Sequence, residues 1–249
     1  MKSIKNNIPK HIVEKIKALS LVKNQYAAFD LDNTLLIGDI GEAVFALLVK
    51  NKNIKNFAWN DYINLIKTDR EKAYFKVIEV MDNLELMVLE NTTHDIIHTD
   101  DIEIELEGYR IPIPKPNTIM QSIVTLLNAS GIEVNVVSAS NRVSVEIICE
   151  EYFGIPASNV FGARVDINDN KRIKIKFNEV PYGKQKVNVL KREFKDKPVF
   201  TAGDAYWDRF LLSYTTHNGI RLWTGKDGDF KKLKENYYKD LEFYQLLSE

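Results

Sequence analysis

The chain has 249 residues, 45% hydrophobic and 28% charged, which suits a globular protein with one large domain or a domain carrying an insert. Its 34 basic and 35 acidic side chains give a formal net charge of −1, so the charge balance offers no reason to expect nucleic acid or an anionic membrane as a partner. The single cysteine, Cys149, excludes an internal disulfide and any multi-cysteine metal centre; in its mostly apolar run it reads as a small buried hydrophobe.

In chain order, Ile12, Val13, Ile16, Leu19 and Val22 recur at helical spacing after Pro9 and predict a helix over 8–22. The apolar run 26–29 predicts a buried strand that ends in two carboxylates at alternating positions, Asp30 and Asp32. Open α/β sheets place ligands just outside such strand ends. Desolvating two acids there is expensive unless a cation, hydrogen bonds or a proton compensates. Mg²⁺, which prefers carboxylate and water oxygens, is one such partner; a solvated turn is the alternative. Asp39 then precedes the apolar run 41–49, a helix start with acids at its positive end. From there to Arg110 the spacing predicts helices over 61–66 and 71–90, a weaker one from Thr92, and no strand. Pro112, Pro114 and Pro116 mark a boundary.

Beyond the prolines, strand and helix alternate. Asn117 caps a helix to Asn128 that Gly131 closes, and 132–137 forms a strand ending at Ser138-Ala139-Ser140. Asn141 opens a helix through Gly154. Short strands are expected at 160–161 and 173–177 around the turn 168–170. A helix over 183–194, a strand over 198–202 ending in Gly203-Asp204, and a helix to Ser213 follow. A last strand at 220–223 and two charged helical stretches finish the chain. The expected fold is α/β: a doubly wound, Rossmann-like parallel sheet over 1–39 and 112–249, with an inserted α-helical cap over 40–111. Asp30, Ser138 and Asp204 end three of its strands at one edge. No uncharged apolar run approaches the roughly 18 residues of a membrane span, and no apolar stretch of signal-peptide length opens the chain. A soluble cytoplasmic protein is expected.

Asp30-Leu31-Asp32-Asn33-Thr34 resembles the first motif, DxDxT, of the haloacid dehalogenase-like hydrolases. Val136-Val137-Ser138 resembles their second motif, Lys186 in Gly183-Lys184-Gln185-Lys186-Val187 the third, and Gly203-Asp204-Ala205-Tyr206-Trp207-Asp208 the fourth, GDxxxD. Lys184 is the rival for the third; Lys-Val-x-x-Leu favours Lys186. The resemblance covers the chain apart from the cap and tails and implies a Mg²⁺-dependent phosphatase. In the family, the side chain matching Asp30, the carbonyl matching Asp32 and an acid of the fourth motif hold the metal. That implies Asp204 as a ligand, with Asp208 bonded to the metal shell. Asp30 would attack phosphorus, Asp32 would act as general acid and then base, and Ser138 and Lys186 would hold the phosphoryl oxygens, with Thr34 on the substrate side. Alkyl dehalogenases of the superfamily usually lack the second acid, so Asp32 favours phosphate esters.

A helical cap between the first two motifs resembles the phosphoserine phosphatase-like branch. Asp39 follows Asp30 by nine residues, where phosphoserine phosphatases carry a Glu that binds the substrate ammonium. Glu42, three residues on, could share its helical face; helix capping is the structural alternative for both. The stretch 79–107 holds ten acids and no Lys or Arg, which favours a cationic substrate. Phe57, Trp59, Tyr62, Tyr74, Phe75 and Tyr109 are aromatics for a trimethylammonium cage or for cap core. Arg70 and Arg110, the cap's arginines, sit in no recognisable motif, which weakens the case for an amino-acid substrate. The expected partner is a small phosphorylated metabolite: phosphoserine first, phosphocholine or phosphoethanolamine as the alternative. A non-catalytic binding protein on the same fold is the rival. His94 and His98, one helical turn apart and flanking Asp95, lack a third metal ligand at a supporting spacing and read as surface residues.

Overall fold

In the computed structural model, which describes residues 8–19, 24–237 and 243–245, the chain opens with α1 (Lys10–Leu19), burying Ile12 and Ile16, and β1 (Tyr26–Phe29), buried throughout. The expected end of the first helix, 20–22, lies outside the described residues. A tight turn leads through β2 (Leu36–Ile37) into α2 (Ile40–Lys50), then α3 (Trp59–Thr68), α4 (Arg70–Val80) and α5 (Leu86–His98). Three short strands follow: β3 (Glu103–Leu106), β4 (Tyr109–Pro112) and β5 (Lys115–Pro116). Next come α6 (Thr118–Ala129), β6 (Glu133–Asn141), α7 (Arg142–Phe153), β7 (Val160–Ala163), β8 (Val165–Ile167) and β9 (Ile173–Ile175). The chain continues with α8 (Lys184–Glu193), β10 (Phe200–Gly203), α9 (Arg209–Tyr214), β11 (Ile220–Trp223), α10 (Asp227–Tyr237) and β12 (Tyr244–Gln245).

Six strands form the central sheet in the order β12-β11-β10-β1-β6-β7. β1 runs parallel to both neighbours, with Phe29 opposite Ala202 on one side and Val136 on the other. β10 is parallel to β11, which is parallel to β12. β1, β10 and β11 are buried at every position, as a parallel sheet covered on both faces requires. This is the Rossmann-like α/β architecture expected. Cys149 is buried and free, and among the described residues no helix is long and apolar enough to cross a membrane.

The chain divides into two compact units, 1–36 with 116–137 and 183–249, and 37–115 with 138–182. Within the second, Phe45 of α2 packs its ring 5.6–5.8 Å from those of Phe57, Trp59 and Tyr62. Those aromatics are therefore core. The helix caps follow the sequence: Asn117 Oδ1 accepts the Ile119 and Met120 amides, Asn141 Oδ1 accepts that of Ser144, and Gly154 ends α7 at φ 64.

The structure corrects four local expectations. The helix expected over 71–90 is two, α4 and α5, and α5 absorbs the weaker stretch from Thr92. The break is held by Asn83, at φ 68, a conformation asparagine tolerates. Its amide donates to the Ile173 carbonyl, and that of Leu86 to the Lys171 carbonyl; contacts so distant leave no local periodicity. Before Arg110, where no strand was expected, β3 and β4 form an antiparallel hairpin. Its turn, Glu107 and Gly108, has positive φ at both residues, the twist that two-residue hairpins favour. The strand expected over 173–177 is shorter, Ile173–Ile175, and its partner across the turn is a strand that was not expected, Val165–Ile167. Finally, where a second charged helix was expected, Tyr244 and Gln245 pair with Leu222 and Trp223 as a strand; the rest of that stretch, 238–242 and 246–249, lies outside the described residues.

Candidate active site

Asp30 leaves the sheet at the end of β1, where its amide donates to the Ala202 carbonyl at 3.0 Å and its side chain is buried. The next residues cannot continue the strand. Asp32 stays extended (φ −68, ψ 129), Asn33 turns left-handed (φ 56), and the chain folds back so that the Thr34 hydroxyl donates to Asp30 Oδ2 at 3.3 Å. The DxDxT spacing is thus a turn geometry, with Asp32 half-buried within it.

Gly183, at φ 53, opens α8, and one turn later the helix buries Lys186 beside Val187 and Leu190. Lys186 Nζ donates to Asp30 Oδ1 at 2.5 Å and Asp208 Oδ1 at 2.6 Å. Lys184 is exposed. Asp208 is locked in turn: its Oδ2 accepts the Ala205 amide at 3.1 Å and the Asp204 amide at 3.3 Å. Gly203 makes room for it, because a β-carbon there would lie 2.5 Å from Asp208 Cβ. A second glycine, Gly225, runs so close beneath that its β-carbon would fall 1.8 Å from the Asp204 carbonyl oxygen. The preceding residue, Thr224, donates its amide to the Gly203 carbonyl at 3.0 Å and its hydroxyl to Thr34 Oγ1 at 3.4 Å.

Carboxylate oxygens of Asp30, Asp204 and Asp208 lie within 4.8 Å of one another, and against three acids Lys186 supplies one positive charge. Burial, then the Asp208 carboxylate, push Asp30 up to about 7, although Lys186 pulls it down. Asp204 is raised well above the usual carboxylate range by burial and then by Asp30 and Asp208. Burial alone would lower the Lys186 ammonium, but Asp208 and Asp30 more than reverse this and hold it above its ordinary value. A divalent cation would relieve that crowding. The donors are hard carboxylate oxygens, which fit Mg²⁺ or Mn²⁺ and offer zinc no soft ligand.

Ser138 lies on β6 two residues past Val136, the partner of Phe29. It is fully buried, and its Oγ accepts the Ser140 amide at 3.0 Å. In the second unit, Asp39 caps α2 through Oδ1, which accepts the Glu42 amide at 2.9 Å. Glu42 Oε1 accepts a 2.5 Å hydrogen bond from the hydroxyl of fully buried Tyr62, whose ionisation is pushed out of reach by burial and then by Glu42. Gly41 permits the close packing here; a β-carbon would meet Ser140 Oγ at 2.6 Å. Arg110 is exposed and pairs with Glu103 across the hairpin, and Arg70 is exposed. Sequence reasoning missed Thr224 and Gly225, and it gave no role to the Tyr62 hydroxyl. The signal for the loop was faint: Thr224-Gly225 directly follows the last apolar strand it recognised.

The sequence matches the family profile described as haloacid dehalogenase-like hydrolase over residues 27–213. No curated protein matches the chain. Similar solved structures include a conserved functionally unknown protein from Anaerococcus prevotii, with TM-score 0.69 at 16% identity over 98% of this chain and 94% of that one. A phosphoserine phosphohydrolase-like protein from Francisella tularensis aligns with TM-score 0.56 at 15% identity, over 84% of this chain and 92% of that one. A phosphoserine phosphatase captured as a phospho-aspartyl intermediate analogue aligns with TM-score 0.54 at 17% identity, over 89% and 93% of the two chains. At these identities the shared property is the fold.

Proposed function

This chain belongs to the haloacid dehalogenase-like hydrolase family, and we propose that within it the chain is a Mg²⁺-dependent phosphatase that hydrolyses a small phosphate monoester through an aspartyl-phosphate on Asp30. The observation that carries this reading is the buried carboxylate at a strand end, gripped at 2.5 Å by Lys186 and gathered with Asp204 and Asp208.

Asp30 attacks phosphorus in line and the bond to the leaving oxygen breaks. Asp32 donates its proton to that oxygen as the alcohol departs, then takes a proton from the water that attacks the phosphorus of the acyl phosphate. Inorganic phosphate leaves and Asp30 is a carboxylate again. Lys186 and Ser138 hold the phosphoryl oxygens, and Lys186 also damps repulsion between Asp30 and the incoming phosphate. Asp30, the Asp32 carbonyl and Asp204 would hold Mg²⁺, with Asp208 beside it, and the ion would supply positive charge to the transferring phosphoryl group.

Residues 40–111 serve in this proposal as a cap, with Asp39 and Glu42 reading the cationic end of the substrate. Phosphoserine is the first choice, supported by the names of similar structures. Phosphocholine or phosphoethanolamine is the second, favoured because both cap arginines, which a substrate carboxylate would call on, are exposed, and Arg110 is already paired with Glu103. Turnover of p-nitrophenyl phosphate with Mg²⁺, followed by a panel of phosphate monoesters, tests both levels. No turnover of any of them by a well-folded sample would support the rival, a non-catalytic binding protein on the same fold.

A further inference from the structure

His94 and His98 sit one turn apart on α5, and the fold supplies the third ligand that their sequence surroundings lack. Glu151 of α7 joins them, so that ligand atoms of all three side chains lie within 4.8 Å of one another. The two imidazoles are 6° from parallel with centroids 5.8 Å apart. His94 is half-buried, while His98 and Glu151 are exposed. The two helices are pinned to each other next to each ligand. Thr93, beside His94, shares a buried 2.7 Å hydroxyl hydrogen bond with Ser144. The Tyr152 hydroxyl, beside Glu151, donates to the carbonyl of Ile97, beside His98, at 3.4 Å. The three ligands also lie in or next to the final turns of α5 and α7, where helix carbonyls favour positive charge.

We propose that His94, His98 and Glu151 form a second metal site, for a borderline divalent ion such as Zn²⁺, that clamps α5 to α7. The site shares no residue with the Asp30 cluster and differs from it in chemistry. Two imidazole nitrogens and one carboxylate oxygen are a zinc-type donor set, leaving a fourth position for water. Mg²⁺ prefers all-oxygen surroundings. Zinc bonds of about 2.0–2.2 Å require the three donors to close in from their present spacing. Side-chain torsions at these partly exposed positions supply that movement, while the pinned backbones keep it short.

The test uses the full chain, stripped of metal and then held in excess Mg²⁺ so that the acid cluster is occupied. Titration with Zn²⁺, and with Co²⁺ as a spectroscopic probe, is expected to show one zinc per chain, a four-coordinate cobalt spectrum displaced by zinc, and a zinc-dependent rise in melting temperature. His98→Ala and Glu151→Gln should each weaken zinc binding by about 100-fold or more. Both should leave the far-UV spectrum and zinc-free hydrolysis of p-nitrophenyl phosphate unchanged. Should His98→Ala fold poorly, the exposed and near-isosteric Glu151→Gln decides. Undiminished affinity in Glu151→Gln would reduce the site to a pair of surface histidines and overturn the proposal. So would no zinc uptake at micromolar concentrations, or uptake abolished only by Asp204→Asn.

Discussion

The cluster around Asp30 and the corner formed by Asp39, Glu42 and Tyr62 each set acids against a buried partner, but the partners differ in charge. In the cluster a lysine bridges two carboxylates at 2.5 and 2.6 Å, so the acids are both oriented and partly neutralised. In the corner a phenol holds Glu42 at 2.5 Å, which orients a carboxylate without cancelling its charge. Asp39, meanwhile, spends an oxygen on a helix cap. The difference teaches how one kind of side chain divides into two tasks. Acids tied to a cation suit a reacting centre whose charge changes during a cycle. An acid tied to a neutral donor suits the recognition of a cation that arrives with a ligand.

Substitutions in the cluster should therefore erase turnover of every ester. Asp30→Asn removes the nucleophile and is expected to abolish steady-state hydrolysis of p-nitrophenyl phosphate, while Asp32→Asn should lower kcat by about 10²–10⁴-fold. Full activity in Asp32→Asn would take that residue out of the mechanism.

Removal of metal comes next. EDTA should silence the enzyme, and Mg²⁺ or Mn²⁺, but not Zn²⁺ alone, should restore it. Melting curves extend this test. Asp30, raised from 3.8 to about 7 in the metal-free fold, binds its proton more tightly folded than unfolded. Its contribution to stability is thus fully present below the ordinary carboxylate value and is lost as pH rises through about 7. Added Mg²⁺ should accordingly raise the melting temperature more at pH 8 than at pH 5. An equal rise at both would mean that the cation does not compete with that proton.

The corner should respond selectively. Asp39→Asn keeps the cap, since asparagine caps as well as aspartate, and Glu42→Gln keeps the shape. Both should depress kcat/KM for the cationic ester by about tenfold, the scale of a weakened ion contact. Neither should alter turnover of p-nitrophenyl phosphate, which carries no cation. Equal losses on both substrate types would assign these residues to the fold. Tyr62→Phe should have the smallest effect on turnover, a loss confined to the cationic ester. It should also cost about 0.5–1.5 kcal/mol of stability, read by urea unfolding, for the lost hydrogen bond to half-buried Glu42.

The residues of the cluster could be read from the sequence because each stands at a strand or helix boundary with a local signature. An apolar run stops at Asp30, a glycine precedes Asp204, and Val187 and Leu190 fix which lysine faces inward. Their 156-residue separation in Lys186 and Asp30 is bridged by a sheet whose order follows from strand and helix alternation. The Tyr62 bond to Glu42 was not legible, since it depends on how α2 meets α3. Nor was Glu151 beside His94 and His98, which needs two helices pinned across 51 residues. The β3–β4 hairpin was hidden by its acids: Glu103 and Glu105 alternate with Ile104 and Leu106, yet read as a charged helical face.

Gly203 and Gly225 extend the inheritance of this site beyond its chemistry. Neither offers a group to a substrate, yet a side chain at either one presses on backbone or side chain of a cluster acid, at 2.5 Å in one case and 1.8 Å in the other. Mutational tolerance along the chain would therefore be uneven in a particular way. A lineage could exchange the exposed Lys226 freely, while its neighbour Gly225 would stay as constrained as the nucleophile. A loop with no reactive group is in this sense part of the site's hereditary core.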